Sequence, residues 1–240
     1  MRSLLRADSV VLLRSRVSAF LSILLPIVVL VATSLGTKER LGSAGTVIGL
    51  ALTLGLITSC LLGYSLTLAR DREVGVLQRL RVTPAPTWTI MTSRLLVQVV
   101  TNLVASVIVV IVGVILHGLT PTVGQYALVV LVAILGAAVF LAIGQALVGL
   151  VRSTTAINAI GRILFIILVL LGIIGSTGLL GDTVKSMSGW SPVGALVTLF
   201  SDVLDQAAWG AQDTYSILAC AGYIIVFAFI GIRWFRWESR

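Results

Sequence analysis

The sequence predicts an all-α polytopic membrane protein, and three observations carry that reading. Hydrophobic residues make up 58% of the 240 residues and charged residues only 11%, with a mean hydropathy of +1.11; a soluble domain carries about a quarter charged residues. Six windows approach the length a helix needs to cross ~30 Å of hydrocarbon, about 20 residues. Backbone groups in lipid must find their partners within their own segment, so these windows are helices.

Residues 1–16 carry Arg2, Arg6, Arg14 and Arg16 among Leu and Val. They read either as an N-terminal interfacial helix on the membrane surface or as a plain basic flank of the first span. The apolar run from Val17 is too long for the core of a cleaved leader. The six transmembrane helices are then expected at Val17–Leu35, Thr46–Ala69, Leu95–Leu116, Tyr126–Leu150, Ile163–Leu180 and Tyr215–Ile232. Pro26 is placed to kink the first, and His117-Gly118-Leu119-Thr120-Pro121 predicts a tight turn between the third and fourth. Gly136, Ala137, Ala138, Ala142, Gly144, Ala146 and Gly149 make the fourth a packing surface, since small residues let helix backbones approach in lipid. Gly172, Gly175, Ser176 and Gly178 repeat the theme in the fifth. Residues 181–213 form the longest outer connection, between Trp190 and Trp209 as interface anchors. Its apolar run Val193–Leu204 is too short to cross, and reads as an outer re-entrant helical hairpin before the last span. With no internal repeat or low-complexity tract, residues 1–240 read as a single membrane domain.

Charge placement gives the orientation. Fourteen of the 17 basic residues fall in the N-terminal segment, the 70–94 and 151–162 loops and the C-terminal tail, all on one side of the six-span layout. The positive-inside rule places that side, with both termini, in the cytoplasm. The net charge of +8 is thus a topology signal and not a nucleic-acid patch. Fifteen of the 17 basic residues are Arg, the compositional mark of GC-rich bacterial coding, so the expected location is a bacterial plasma (inner) membrane.

The spans lack the parts of several function classes. None has an Asp, Glu or Lys in its central part, against a proton-coupled carrier. His117 lies at a span end, where a helix-terminal role is the simple reading. Cys60 and Cys220 fall mid-span without metal-ligand spacing and read as packed thiols. No His-Glu-x-x-His or Gly-x-Ser-x-Gly occurs, so no catalytic or metal residue is assigned. There is no Gly-x-x-x-x-Gly-Lys-Ser/Thr, and the only lysines are Lys38 and Lys185; any ATP drive must come from another polypeptide. Thr53, Thr58, Ser59, Tyr64, Gln98, Asn102, Gln145 and Asn158 supply uncharged polar groups within or near the spans. They serve interhelical hydrogen bonding, or line a substrate path, for which Thr53, Thr58, Ser59, Gln98, Asn102 and Asn158 are the candidates.

One charged island interrupts this pattern, from Arg70 to Pro86. Asp71 and Glu73 at its start and Arg79 and Arg81 at its end suit the macrodipole of a short helix. Val76, Leu77 and Leu80 give that helix an apolar ridge, Thr83 before Pro84 ends it, and Pro86 stiffens the exit. Such a ridge can seat in a partner's groove; a basic loop with a topological role only is the alternative. The order Arg72-Glu73-x-Gly75-x-Leu77-x-x-Leu80-x-x-Thr83-Pro84 resembles the loop after the second span in the type-2 ABC exporter permeases, the ABC-2 family. Trp190-Ser191-Pro192 followed by Gly194-Ala195-Leu196 is similar to that family's segment between spans five and six. Gly75-Val76 departs from the Gly-Thr of many relatives.

The resemblance implies the permease half of an ABC exporter, with Arg72, Glu73, Gly75, Leu77, Leu80, Arg81, Thr83 and Pro84 as a cytoplasmic coupling helix that docks on the ATPase. It implies two separate ABC ATPase subunits that hold the ATP and Mg, no cofactor on this chain, and a second permease, identical or sibling. The largely apolar spans, with few hydroxyls and amides and only 7% aromatics, suit an amphiphilic drug, antibiotic or lipid better than a polysaccharide. A passive channel or structural membrane subunit without an ATPase is the alternative.

Overall fold

The computed structural model describes residues 16–35, 42–76, 87–177 and 188–234, and among these all regular structure is helical. The helices are α1 (Arg16–Leu35), α2 (Ala44–Glu73), α3 (Thr87–His117), α4 (Val123–Leu150), α5 (Thr154–Thr177), α6 (Pro192–Leu204) and α7 (Ala211–Trp234). Among the described residues five of them, α2, α3, α4, α5 and α7, are long and apolar enough to cross a membrane. The first expected span is represented by α1, whose apolar stretch Ile23–Ser34 is shorter and contains Pro26. Residues 1–15, where the interfacial helix is expected, lie outside the described residues.

Local chemistry sets the helix ends. Gly118 turns the chain after α3 with φ +69°, and the Leu119 N–H returns to the Val114 carbonyl at 3.2 Å. Thr122 and Gln125 then cap α4 reciprocally, satisfying two of the donors a helix start leaves open. His117 contacts the Gly113 carbonyl through Nδ1 at 3.1 Å, a helix-terminal role. Ser191 caps α6 by accepting the Gly194 N–H at 3.0 Å, with Pro192 in the first helical position, where its missing N–H costs nothing.

Two helices begin earlier than hydropathy suggests. α5 starts at Thr154, so the expected 151–162 loop shrinks to a turn at 151–153, and α3 starts at Thr87, well before Leu95. Hydropathy drops the polar turns around Asn158, Arg162 and Arg94, but the backbone carries the helix through them. Ser153 supports the α5 start, accepting from Ala156 N–H at its hydroxyl and from Ile157 N–H at its carbonyl.

α2 is the packing centre. It lies against α1, α3, α4, α5 and α6, while α7 joins the bundle through α4 and α6. Ile48, Leu52, Leu56, Ile57 and Leu61 are fully buried with Phe140 of α4 and Phe200 of α6. The small residues of α4 do pack: Gly136, Ala137, Ala142, Gly144 and Ala146 are all buried. Cys60 and Cys220 are buried free thiols.

Candidate functional site

The chain alternates direction from α2 to α5, so the end of α2, the start of α3 and the α4–α5 turn share one end of the bundle. Four charged residues, Arg70-Asp71-Arg72-Glu73, close α2 there. The helix stops after Glu73: Val74 N–H reaches the Arg70 carbonyl at 2.9 Å, Gly75 N–H reaches Arg72 O at 3.2 Å, and Gly75 takes φ +74°. That left-handed conformation suits glycine. The expected single helix beginning at Asp71 is therefore corrected: Asp71 and Glu73 lie in the last turn of α2. A carboxylate at a helix C-terminus faces the negative end of the macrodipole, so each needs a partner.

Each of three consecutive residues finds its partner on a different helix. Asp71 pairs with Arg94 of α3 at 2.5 Å. Arg72, only 2% exposed, donates from Nη1 to the Val148 carbonyl at 2.8 Å and from Nη2 to the carbonyls of Val151 and Arg152 at 2.9 and 2.7 Å. These oxygens belong to the last turn of α4 and the residues just after it, the acceptors that a helix end leaves without partners. The planar fork of one guanidinium satisfies three of them and places its charge at the negative pole of α4. Glu73 accepts the Thr154 N–H at 3.1 Å, capping the start of α5. Arg72 and Glu73 thus hold the two sides of the 151–153 turn. Leu77, Leu80, Arg81, Thr83 and Pro84, the rest of the expected docking element, lie outside the described residues.

Midway along α2 the backbone changes form. Ile57–Gly63 is a π-helix, with the Tyr64 N–H reaching back five residues to the Ser59 carbonyl. A π segment widens the turn and redirects side chains. Here it presents Ser59 to α3: Gln98 Nε2 donates to the Ser59 hydroxyl at 3.0 Å, and Asn102 Nδ2 donates to the Gln98 carbonyl at 2.8 Å. Ser59 and Gln98 thus form a short polar track between α2 and α3, which Asn102, bonded to the backbone of its own helix one turn on, extends; both amides are buried. The other path candidates do not join it through hydrogen bonds. Thr53 and Thr58 donate to the carbonyls of Gly49 and Leu54 in their own helix, at 2.8 and 2.7 Å. The buried Asn158 side-chain oxygen has no partner among the described residues. On the α4 side of the π segment, Tyr64 donates to Gln145 Oε1 at 2.7 Å, and Gly144 lies against the Cys60 carbonyl, 3.1 Å from where a Cβ would stand.

At the opposite end, α6 locks onto the start of α2, which sequence reasoning missed. Ser43 caps α2 through the Thr46 N–H at 3.1 Å. Asp205, one residue past α6, accepts the Gly45 N–H at 3.0 Å and the hydroxyls of Ser201, at 3.1 Å, and Ser43. Gly45 and Gly49 let α6 this close, since a Cβ on Gly49 would stand 2.9 Å from Phe200 Cβ. The spacing Gly45-x-x-x-Gly49 was a readable packing signal.

These features describe a multi-pass membrane protein, with a central helix fixed at both ends and a buried polar track beside it. The ABC-2 type transporter family matches residues 1–204, and the chain belongs to that family. It is an ABC-2 permease domain, a transporter component and not itself a catalytic domain; such permeases generally work with ABC ATPase subunits. No curated protein matches the chain.

Proposed function

We propose that this chain is the permease subunit of an ATP-driven exporter in a bacterial plasma membrane. It crosses six times with α1 as the first span, has both termini in the cytoplasm, and moves an amphiphilic drug, antibiotic or lipid outward. The observation that carries this reading is the junction at the end of α2. The chain leaves it at Gly75 and enters the 77–86 segment, so that segment hangs from a point bonded to α3, α4 and α5. Leu77 and Leu80, with Arg81, Thr83 and Pro84, dock there on one of two separate ATPase subunits, which hold the ATP and Mg. ATP-driven closure of the ATPases biases a two-state equilibrium of the permease pair, identical or sibling, between inward-closed and outward-open forms. Ser59, Gln98 and Asn102, uncharged polar groups in a largely apolar interior, suit a substrate with a polar head on a hydrophobic body.

The test is a pull-down of the tagged chain from its native membrane, with mass spectrometry and an ATPase assay. An ATPase at one copy per permease is expected, with hydrolysis stimulated by amphiphiles. Leu77→Asp with Leu80→Asp is expected to insert normally and lose the ATPase. An ATPase that stays bound to that variant refutes docking through the 77–86 segment, and recovery of the wild-type chain alone refutes the exporter reading.

A further inference from the structure

The junction does more than end a helix. Arg72 and Glu73 are adjacent, yet they bond to opposite sides of a single turn: the carbonyls that end α4 and the N–H that begins α5. Asp71 adds α3 through Arg94. Above them, Tyr64–Glu73 is ten residues of regular α-helix, about 15 Å long, bounded at its other end by the π segment. A regular helix with bonded ends is stiff, whereas the π segment is the irregular stretch of the same span.

We propose that Arg72 and Glu73 are positioning residues that transmit motion from the docking segment to α4 and α5. Displacement imposed on 77–86 moves Tyr64–Glu73 as a lever, and the bonds of Arg72 and Glu73 carry the 151–153 turn with it. Span two alone would otherwise respond. The inference rests on the exporter reading above, and assigns Arg72 and Glu73 to bonds inside this chain and not to contacts with the ATPase.

The test is hydrogen exchange on the purified complex with its ATPase, in lipid nanodiscs, with and without ATP plus vanadate. In the wild type, nucleotide trapping is expected to change exchange both in 64–76 and in 151–162. In Arg72→Leu with Glu73→Ala, the ATPase is expected to remain bound, with the change confined to 64–76. Glu73→Gln keeps a side-chain acceptor for the Thr154 N–H without the charge, and is expected to behave as the wild type. A double variant whose 151–162 region still responds overturns the proposal. So does a double variant that loses the ATPase, since Arg72 and Glu73 would then be docking groups. The isolated chain scores the bonds separately: Glu73→Ala is expected to speed exchange at residues 154–156 by about tenfold or more, and unchanged exchange there refutes the clamp. A wild-type chain with no ATPase fails the exporter reading and the transmission role with it, while the exchange at 154–156 still decides whether the clamp exists.

Discussion

Removing the Asp205 carboxylate gives the sharpest check on how α6 is held. That carboxylate accepts three hydrogen bonds, from Gly45 N–H and Ser43 at the start of α2 and from Ser201 of α6. Capping a helix start is worth roughly 0.5–2 kcal/mol, and a negative charge beside its positive pole a further 0.3–1 kcal/mol or so. Asp205 is exposed, so solvent screens the charge, and Asp205→Ala is expected to cost about 1–2 kcal/mol. At roughly 2–4 °C per kcal/mol for a chain of this size, that lowers the melting temperature in detergent by about 2–8 °C. Gly45→Ala should do similar damage by another route, because its Cβ would stand 2.5 Å from the carboxylate and drive it off the helix end. Once Asp205 is Ala that collision is gone, and Ala is the better helix former by about 0.5–1 kcal/mol. Gly45→Ala is therefore expected to destabilise the wild type and stabilise the Asp205→Ala background, a reversal of sign that a double-mutant cycle reads directly. Equal costs in both backgrounds would refute the contact.

Three other substitutions test further features of the packing. Asp202 is held above the ordinary carboxylate range, to about 6, by burial and then by a shared hydrogen bond with Asp213 and the like charges of Asp213 and Asp205. The fold therefore binds this proton more tightly than the unfolded chain, so stability falls as pH rises from about 3.8 to about 6 and is flat above. Asp202→Asn should remove that segment of the pH–melting curve and leave the protein more stable than wild type at pH 8; an unchanged curve would refute the shared proton. At Gly144 a Cβ meets the Cys60 carbonyl, which is backbone, whereas at Gly136 it meets the Leu56 and Leu196 side-chain ends. Gly144→Ala is expected to cost about 1–3 kcal/mol and Gly136→Ala less, read as the difference in melting temperature; the reverse order would show that α4 does not approach the π segment this closely.

Much of the fold was legible because it is written in local pattern. The apolar cores of the spans, the Ser191-Pro192 start of α6, the turn at Gly118 and the packing face of α4 each depend on residues close in sequence. The roles of the charges were not legible, because a sequence shows a charge without the helix end opposite it. Arg72 bonds to carbonyls 76, 79 and 80 positions away, and Asp205 to a backbone N–H 160 positions away. Spaced as they are, Asp71 and Glu73 look like the start of a helix; only the left-handed Gly75 shows them to be an end. Of the residues expected along a path, Ser59 and Gln98 bond side chain to side chain across α2 and α3, whereas Asn102 bonds to the backbone of its own helix. Thr53 and Thr58 spend their hydroxyls on their own backbone, a choice that residue type leaves open. Nothing in composition marks the π segment, because one extra residue in a turn leaves hydropathy unchanged.

The three polar features belong to one helix. At its start α2 is tied to α6 by Asp205, and at its end to α3, α4 and α5 by Asp71, Arg72 and Glu73. Between the ties lies the π segment, where the backbone hydrogen bonds are least regular and the polar track begins. A helix fastened at both ends can respond to a push only where its own bonding is adjustable, and in α2 that is Ile57–Gly63. Interconversion of π and α bonding shifts the register by one residue, about 100° of rotation at 3.6 residues per turn. Such a shift rotates one flank of α2 against the other, so it can move Ser59 relative to Gln98 only if one of the two tied ends turns as well. The Gln98–Ser59 bond therefore lies at the stretch of α2 whose backbone hydrogen bonding departs from the regular α pattern.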